Sequence, residues 1–219
     1  MTRSPPDLGV GRTYAGESLA ERTARRRQQF LDAGLQVFGT TGYRTATVRQ
    51  LCKQAELTDR YFYESFASTE DLLVAVYERE FDHLQQVVLA ALMGEAAQQD
   101  PTAPVDVALN ALFDMASEPR VARVCWLEVL GVSARVDGVY TRTIERFAAL
   151  VVAFARQRFD VVDVDEPESR MLGIALIGAV SQPVTHWLLG GYREDRATMV
   201  AATSRVFRGV IAGLRAEGN

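Results

Sequence analysis

Apolar side chains recur at helical spacing along almost the whole chain, and no convincing stretch alternates with the period of two that a half-buried strand needs. Phe30, Leu31, Leu35, Val37 and Phe38 form the first helical face. Ser18 and Glu21 have capping-box spacing, which starts that helix near Ser18, and Gly39 and Gly42 are expected to stop it. Thr47 and Gln50 repeat the box before Val48, Leu51 and Ala55, a short helix. Glu56-Leu57 reads as a turn, and Thr58 as the cap of a second short helix reaching Tyr63. Ser68 with Asp71 opens a long amphipathic helix through Leu72, Val76, Phe81 and Leu84 to Met93. After a loop over 94–104, further helices are expected near 105–117, 120–133, 137–159, 168–190 and 195–215. Pro119, Gly131, Gly138, residues 161–167 and Gly190-Gly191 break them. Val161 to Val164 is the best strand candidate and reads rather as a linker. Residues 1–17 hold Pro5, Pro6, Gly9, Gly11 and Gly16 without a period and read as a flexible tail. The pattern is all-α.

Composition narrows the class. With 219 residues, 48% apolar and 24% charged, the chain can bury a sizeable core and is neither low-complexity nor a disulfide scaffold. Two cysteines, Cys52 and Cys125, fit a reducing compartment, and no leader pattern is visible, so a cytoplasmic protein is expected. Residues 171–192 carry no Asp, Glu, Lys or Arg and are long enough to span a bilayer. Ser181, Gln182, Pro183, Thr185 and His186 within them point to a helix buried in protein instead, with no membrane partner.

Net charge is −4, which alone argues against a nucleic-acid partner. Its distribution reverses that argument. Residues 1–66 hold ten basic side chains against seven acidic, and residues 67–219 hold fourteen against twenty-one. A basic head on an acidic body suits a polyanion at the head. Two short capped helices joined by a tight turn and resting on a longer one make a helix-turn-helix, whose second helix enters a DNA major groove.

The run Phe30-x7-Phe38, Gly42-Tyr43, Thr47-Val48, Leu51-Cys52, Ala55-x-Leu57-Thr58 and Phe62-Tyr63-x-x-Phe66-x-Ser68-x-Glu70-Asp71-Leu72-Leu73 resembles the TetR/AcrR family of bacterial transcriptional regulators, the tetracycline-repressor type. The resemblance implies a homodimer on a pseudo-palindromic double-stranded DNA operator. Each subunit would have an N-terminal three-helix DNA-binding domain (18–66) and a larger helical effector-binding and dimerisation domain (67–219). A small-molecule effector would release the DNA, which makes the protein a repressor. Carried over by position, Thr47 and Arg49 open the phosphate-contacting helix. Thr58, Asp59, Arg60 and Tyr61 fall on the recognition helix, and Tyr63 reaches a phosphate. Arg60 is the candidate for bidentate guanine contact. Asp59 either accepts from a cytosine amine or caps its helix, and Glu64 is expected to point away from phosphate. Thr69 stands where the family usually has Lys, Ser65 where it has His, and Glu56 where it has the turn glycine, which is tolerable if the backbone stays out of the left-handed region.

In the body, Phe113, Trp126, Tyr140 and Trp187 are bulky groups on expected helices and candidate effector contacts, with core packing as the alternative for each. The effector would be small and largely apolar. The last two helices are expected to pair with a partner through Ala175, Ala179, Val200, Phe207 and Leu214. No His-x-x-Glu-His, Cys-x-x-Cys, phosphate-binding glycine loop or Gly-x-Ser-x-Gly elbow is present, so no enzyme, metal or cofactor is expected. The alternative is a DNA-binding regulator answering to a protein partner, or an architectural one, without an effector.

Overall fold

A computed structural model of the protein describes residues 18–98, 100, 103–159 and 166–216. The expected tail 1–17 and the segment around Val161 to Val164 lie outside the described residues, which contain helices and no strand. Helix α1 (Leu19–Thr40) starts at the Ser18–Glu21 capping box, with both reciprocal bonds present. It runs through Gly39 instead of stopping there. A Cβ on Gly39 would meet Arg120 Cβ at 2.5 Å and Arg120 Cα at 2.6 Å, so this glycine serves the close approach of another helix. After a 3-10 turn (Tyr43–Thr45) come α2 (Val48–Ala55), α3 (Asp59–Ser65) and α4 (Thr69–Met93).

Helices α5 (Ala103–Ala116), α6 (Pro119–Arg123), α7 (Ala134–Phe159), α8 (Glu166–Leu189) and α9 (Arg196–Ala216) build the body. The helix expected over 120–133 is shorter: α6 passes into a π-helical turn at Val124–Glu128. One apolar cluster runs through both parts, from Phe30, Phe62 and Leu72 to Phe113, Trp126, Val184 and Trp187. Head and body are also joined by polar contacts. Arg120 Nη1 donates to Gln36 Oε1 at 2.6 Å. The Tyr43 N–H donates to Glu128 Oε2 at 2.7 Å, and Arg123 Nε donates to the other oxygen of Glu128, also at 2.7 Å. Arg135 Nη1, at the start of α7, reaches Glu70 at 3.1 Å, and its Nη2 reaches Asp71 at 2.6 Å, both on the first turn of α4.

Helix α8 is only partly covered by its own chain. It is apolar enough to cross a membrane, with a mean hydropathy of 1.4 over eighteen residues, yet only 28% of that window is buried. One side packs on the chain's own core through Gly173, Val180, Val184 and Trp187. The other side, with Met171, Ala175, Gly178 and Leu189, is exposed. Burial of the whole circumference would need a second molecule.

Candidate nucleic-acid interface and body cavity

The head is held by aromatic packing. Phe30 of α1 meets Phe62 of α3 edge-on at 5.4 Å, and Phe66 at 6.5 Å. Two α1 arginines brace α3 from outside. The Arg26 guanidinium stacks on the Tyr61 ring at 3.7 Å, and that of Arg27 on the Phe66 ring at 4.3 Å. Arg27 Nη1 also donates to the Ser65 carbonyl at 2.9 Å. Side chains on the far face of α3 are left in solvent: Tyr63 is 61% exposed, and the Arg60 side chain 83%. Tyr61 is half-buried beneath Arg26.

Helix N-termini add donors beside this face. Thr47 closes its box with Gln50, whose N–H donates to Thr47 Oγ1 at 3.3 Å, and Thr47 and Arg49 are both exposed. Ser68 Oγ accepts from the Asp71 N–H at 3.1 Å, which places Thr69 as the first residue of α4. Thr58 stands at the cap of α3 with extended backbone, but its side chain makes no capping bond, contrary to expectation. Asp59 lies near Cys52; burial first, then that carboxylate, push the Cys52 thiol up to about 11. A thiol so raised holds almost no thiolate at neutral pH, which speaks for packing over redox chemistry.

Two acidic residues differ from expectation. Glu56 does adopt the left-handed region, at φ 56° and ψ 35°. The α2–α3 turn requires it, because the Leu57 N–H returns to the Cys52 carbonyl at 3.0 Å in a left-handed helix cap. Glu64 does not simply turn away. Its Oε1 accepts from Arg60 Nε at 2.9 Å, and its Oε2 lies 3.9 Å from Arg26. Arg60 thus spends its Nε on Glu64 and keeps both terminal nitrogens for another partner.

The body contains a cavity of about 330 Å³. From α4 it takes Gln85, Val88, Leu89 and Leu92, and from α5 Val105 and Leu109. The α7 wall is Phe147, Val151 and Phe154; Leu176 of α8 and Phe207 and Ile211 of α9 close the far side. The aromatics anticipated from sequence are elsewhere. Phe113 (0% exposed) packs edge-on against Trp187 (3% exposed) at 6.0 Å, and the Trp187 indole N–H donates to the Glu194 carbonyl at 2.8 Å. Trp126 meets Phe81 at 5.7 Å, and Tyr140 meets Tyr77 at 6.4 Å. None of the four lines the cavity; they belong to the packed core, where rings fill space and the indole finds its partner.

The partner-facing residues are also redistributed. Ala175 is exposed and Ala179 half-buried, but Val200 is buried at 7% in its own core. Phe207 faces the cavity, and Leu214 is half-buried between α7, α8 and α9. The most apolar stripe of α9 turns inward, as its area demands. Its opposite face, with Ala202, Val206, Gly209 and Gly213, is open, and an added Cβ at Gly178, Gly209 or Gly213 would meet nothing within 4 Å. Small residues on a helix face were a readable signal, outweighed in the sequence by the larger side chains beside them.

Residues 30–76, from the middle of α1 into α4, match the family model for bacterial regulatory proteins of the tetR family. Over 99% of this chain and 91% of the relative, the sequence is 26% identical to the HTH-type transcriptional regulator TcmR of Streptomyces glaucescens. Its head is a tetR-family head.

With that head it is a DNA-binding transcriptional regulator and not an enzyme. Solved structures agree in fold across head and body. The fatty acid degradation regulator FadR of Bacillus halodurans superposes with TM-score 0.70 at 20% identity, over 87% of this chain and 96% of that one. FadR of Bacillus subtilis, solved in complex with stearoyl-CoA, gives 0.69 at 16% identity, over 82% and 96%. In this head Thr69 opens α4, and the first turn of that helix carries the carboxylates of Glu70 and Asp71.

Proposed function

We propose that this TetR-family regulator is a cytoplasmic homodimeric repressor that leaves a pseudo-palindromic operator when a small, largely apolar effector enters the body cavity. The observation that carries the reading is the pairing of an outward α3 face with an apolar cavity walled by the same helix, α4, that begins at the head. Residues 18–66 act as the DNA-binding domain and 67–219 as the effector and dimer domain. On α3, Arg60 reads a base with its two terminal nitrogens. Thr58, Asp59 and Tyr61 flank it, and Tyr63, Thr47, Arg49 and Thr69 hold phosphates. The exposed faces of α8 (Ala175, Gly178) and α9 (Val206, Gly209) meet their copies in the dimer. Two heads grip DNA only when their spacing matches the groove repeat, about 34 Å or a multiple. An effector that prefers a body with another spacing therefore loosens the complex by its differential affinity.

The test has two arms. The full-length protein selects a duplex from a random pool, and Arg60→Ala is expected to flatten the preference at one position per half-site, a loss of about 1–3 kcal/mol. An unchanged selection removes the readout from α3. Ala108→Trp, which fills the cavity from α5, is expected to leave selection intact and to abolish release by any effector. Release that survives the tryptophan places the effector elsewhere, or makes a protein partner the regulator.

A further inference from the structure

The cavity's lining restricts the chemistry of its occupant. Among the described residues no charged side chain lines it, and the polar side chains there are Gln85 of α4 and Gln157 of α7. Neither amide has a hydrogen-bond partner among the described residues. The exposed lining groups, Leu89 on α4 with Leu150 and Gln157 on α7, mark the mouth, whereas Val105, Leu109 and Phe159 at the interior are buried. A molecule entering here exchanges water for aliphatic and aromatic carbon over most of its surface and meets two neutral amides.

Charge decides what is rejected. A carboxylate or ammonium drawn into such a wall loses its hydration with no counter-ion supplied, and escapes the penalty only by neutralising. A primary amide both donates and accepts, so it satisfies a hydroxyl, a carbonyl or another amide equally. We infer that the effector is an uncharged molecule, apolar over most of its surface, with one or two neutral oxygen or nitrogen groups read by Gln85 or Gln157. The anionic and cationic forms of the same skeleton bind more weakly, because their heads must stay in water at the mouth. The inference rests on the effector reading above and adds the chemical class.

Four probes share one tail and differ in the head: decanol, decanoate, decylamine and decanoyl-CoA. Calorimetry on the full-length dimer is expected to show decanol binding at least about ten-fold tighter than each of the others. Gln157→Leu or Gln85→Leu is expected to weaken decanol about ten-fold at unchanged helical content and dimer mass. Decanoate, decylamine or decanoyl-CoA binding as tightly as decanol, with that binding lost in Ala108→Trp, overturns the class while keeping the site. Decanol affinity untouched in both glutamine variants overturns the role of the amides. If no probe binds in a way that Ala108→Trp abolishes, the effector site itself fails, and this inference with it.

Discussion

Glu56 carries a cost that its position imposes. A left-handed backbone at a residue with a Cβ costs about 1–2 kcal/mol, and glycine escapes it. Glu56→Gly is therefore expected to raise the stability of the head by up to about 1 kcal/mol, after the added freedom of the unfolded chain is subtracted. A thermal melt of the full chain reads this as an upward shift of a few degrees; a downward shift would mean the Glu56 side chain contributes more than its strain costs. Glu64 acts on Arg60 in a comparable way, since a guanidinium held through Nε is oriented before DNA arrives. Glu64→Gln is expected to reduce discrimination at the Arg60 position while tightening non-specific binding, because a negative charge leaves the DNA face. Both effects come from local spacing. The turn after α2 and the i,i+4 pair on α3 are legible in sequence, but the sign of φ at Glu56 and the direction of the Glu64 side chain depend on how closely α2 and α3 approach.

Capping boxes and the 3.6-residue period placed most helix starts within a few residues, because both are local properties. Where contact partners decide, the reading failed. Gly39 looked like a terminator and is instead a helix-interior contact with Arg120, a residue 81 positions further along the chain. Gly39→Ala drives a methyl into the α6 backbone and is expected to cost about 1–3 kcal/mol by overpacking, which urea unfolding measures. Similarly, α9 offers an apolar stripe and a small-residue face, and periodicity does not say which one the chain keeps for itself. The structure gives the stripe to the core, which leaves the small-residue face free. Ala175→Arg on the exposed side of α8 is accordingly expected to halve the mass seen by light scattering while leaving helical content unchanged. An unaltered dimer would move the interface off this face.

At the scale of the molecule, the question is how a ligand between α4 and α7 reaches α3. Helix α7 forms one cavity wall and carries in its first turn Arg135, which grips Glu70 and Asp71 on the first turn of α4, next to the head. Asp71 is held below its ordinary range first by the Ser68 hydroxyl and then by Arg135, so its carboxylate stays ionised at neutral pH. A folded-state value below the unfolded one means the contact contributes fully above the unfolded value and is lost as pH falls through the folded one. An occupant that parts α7 from α4 at the mouth therefore pulls on the base of α4 through this clasp. Reciprocity requires that the probe weaken DNA binding by the same factor by which DNA weakens the probe. Arg135→Ala contacts neither ligand. It is expected to leave the separate affinities for duplex and for decanol within about two-fold, since exposed ion pairs contribute little to stability. The coupling factor between them should fall several-fold. Titrating decanol with and without saturating duplex, in wild type and variant, gives that factor twice over. An unchanged factor would show that the message bypasses the clasp and travels through the packed aromatic core around Phe81 and Trp126.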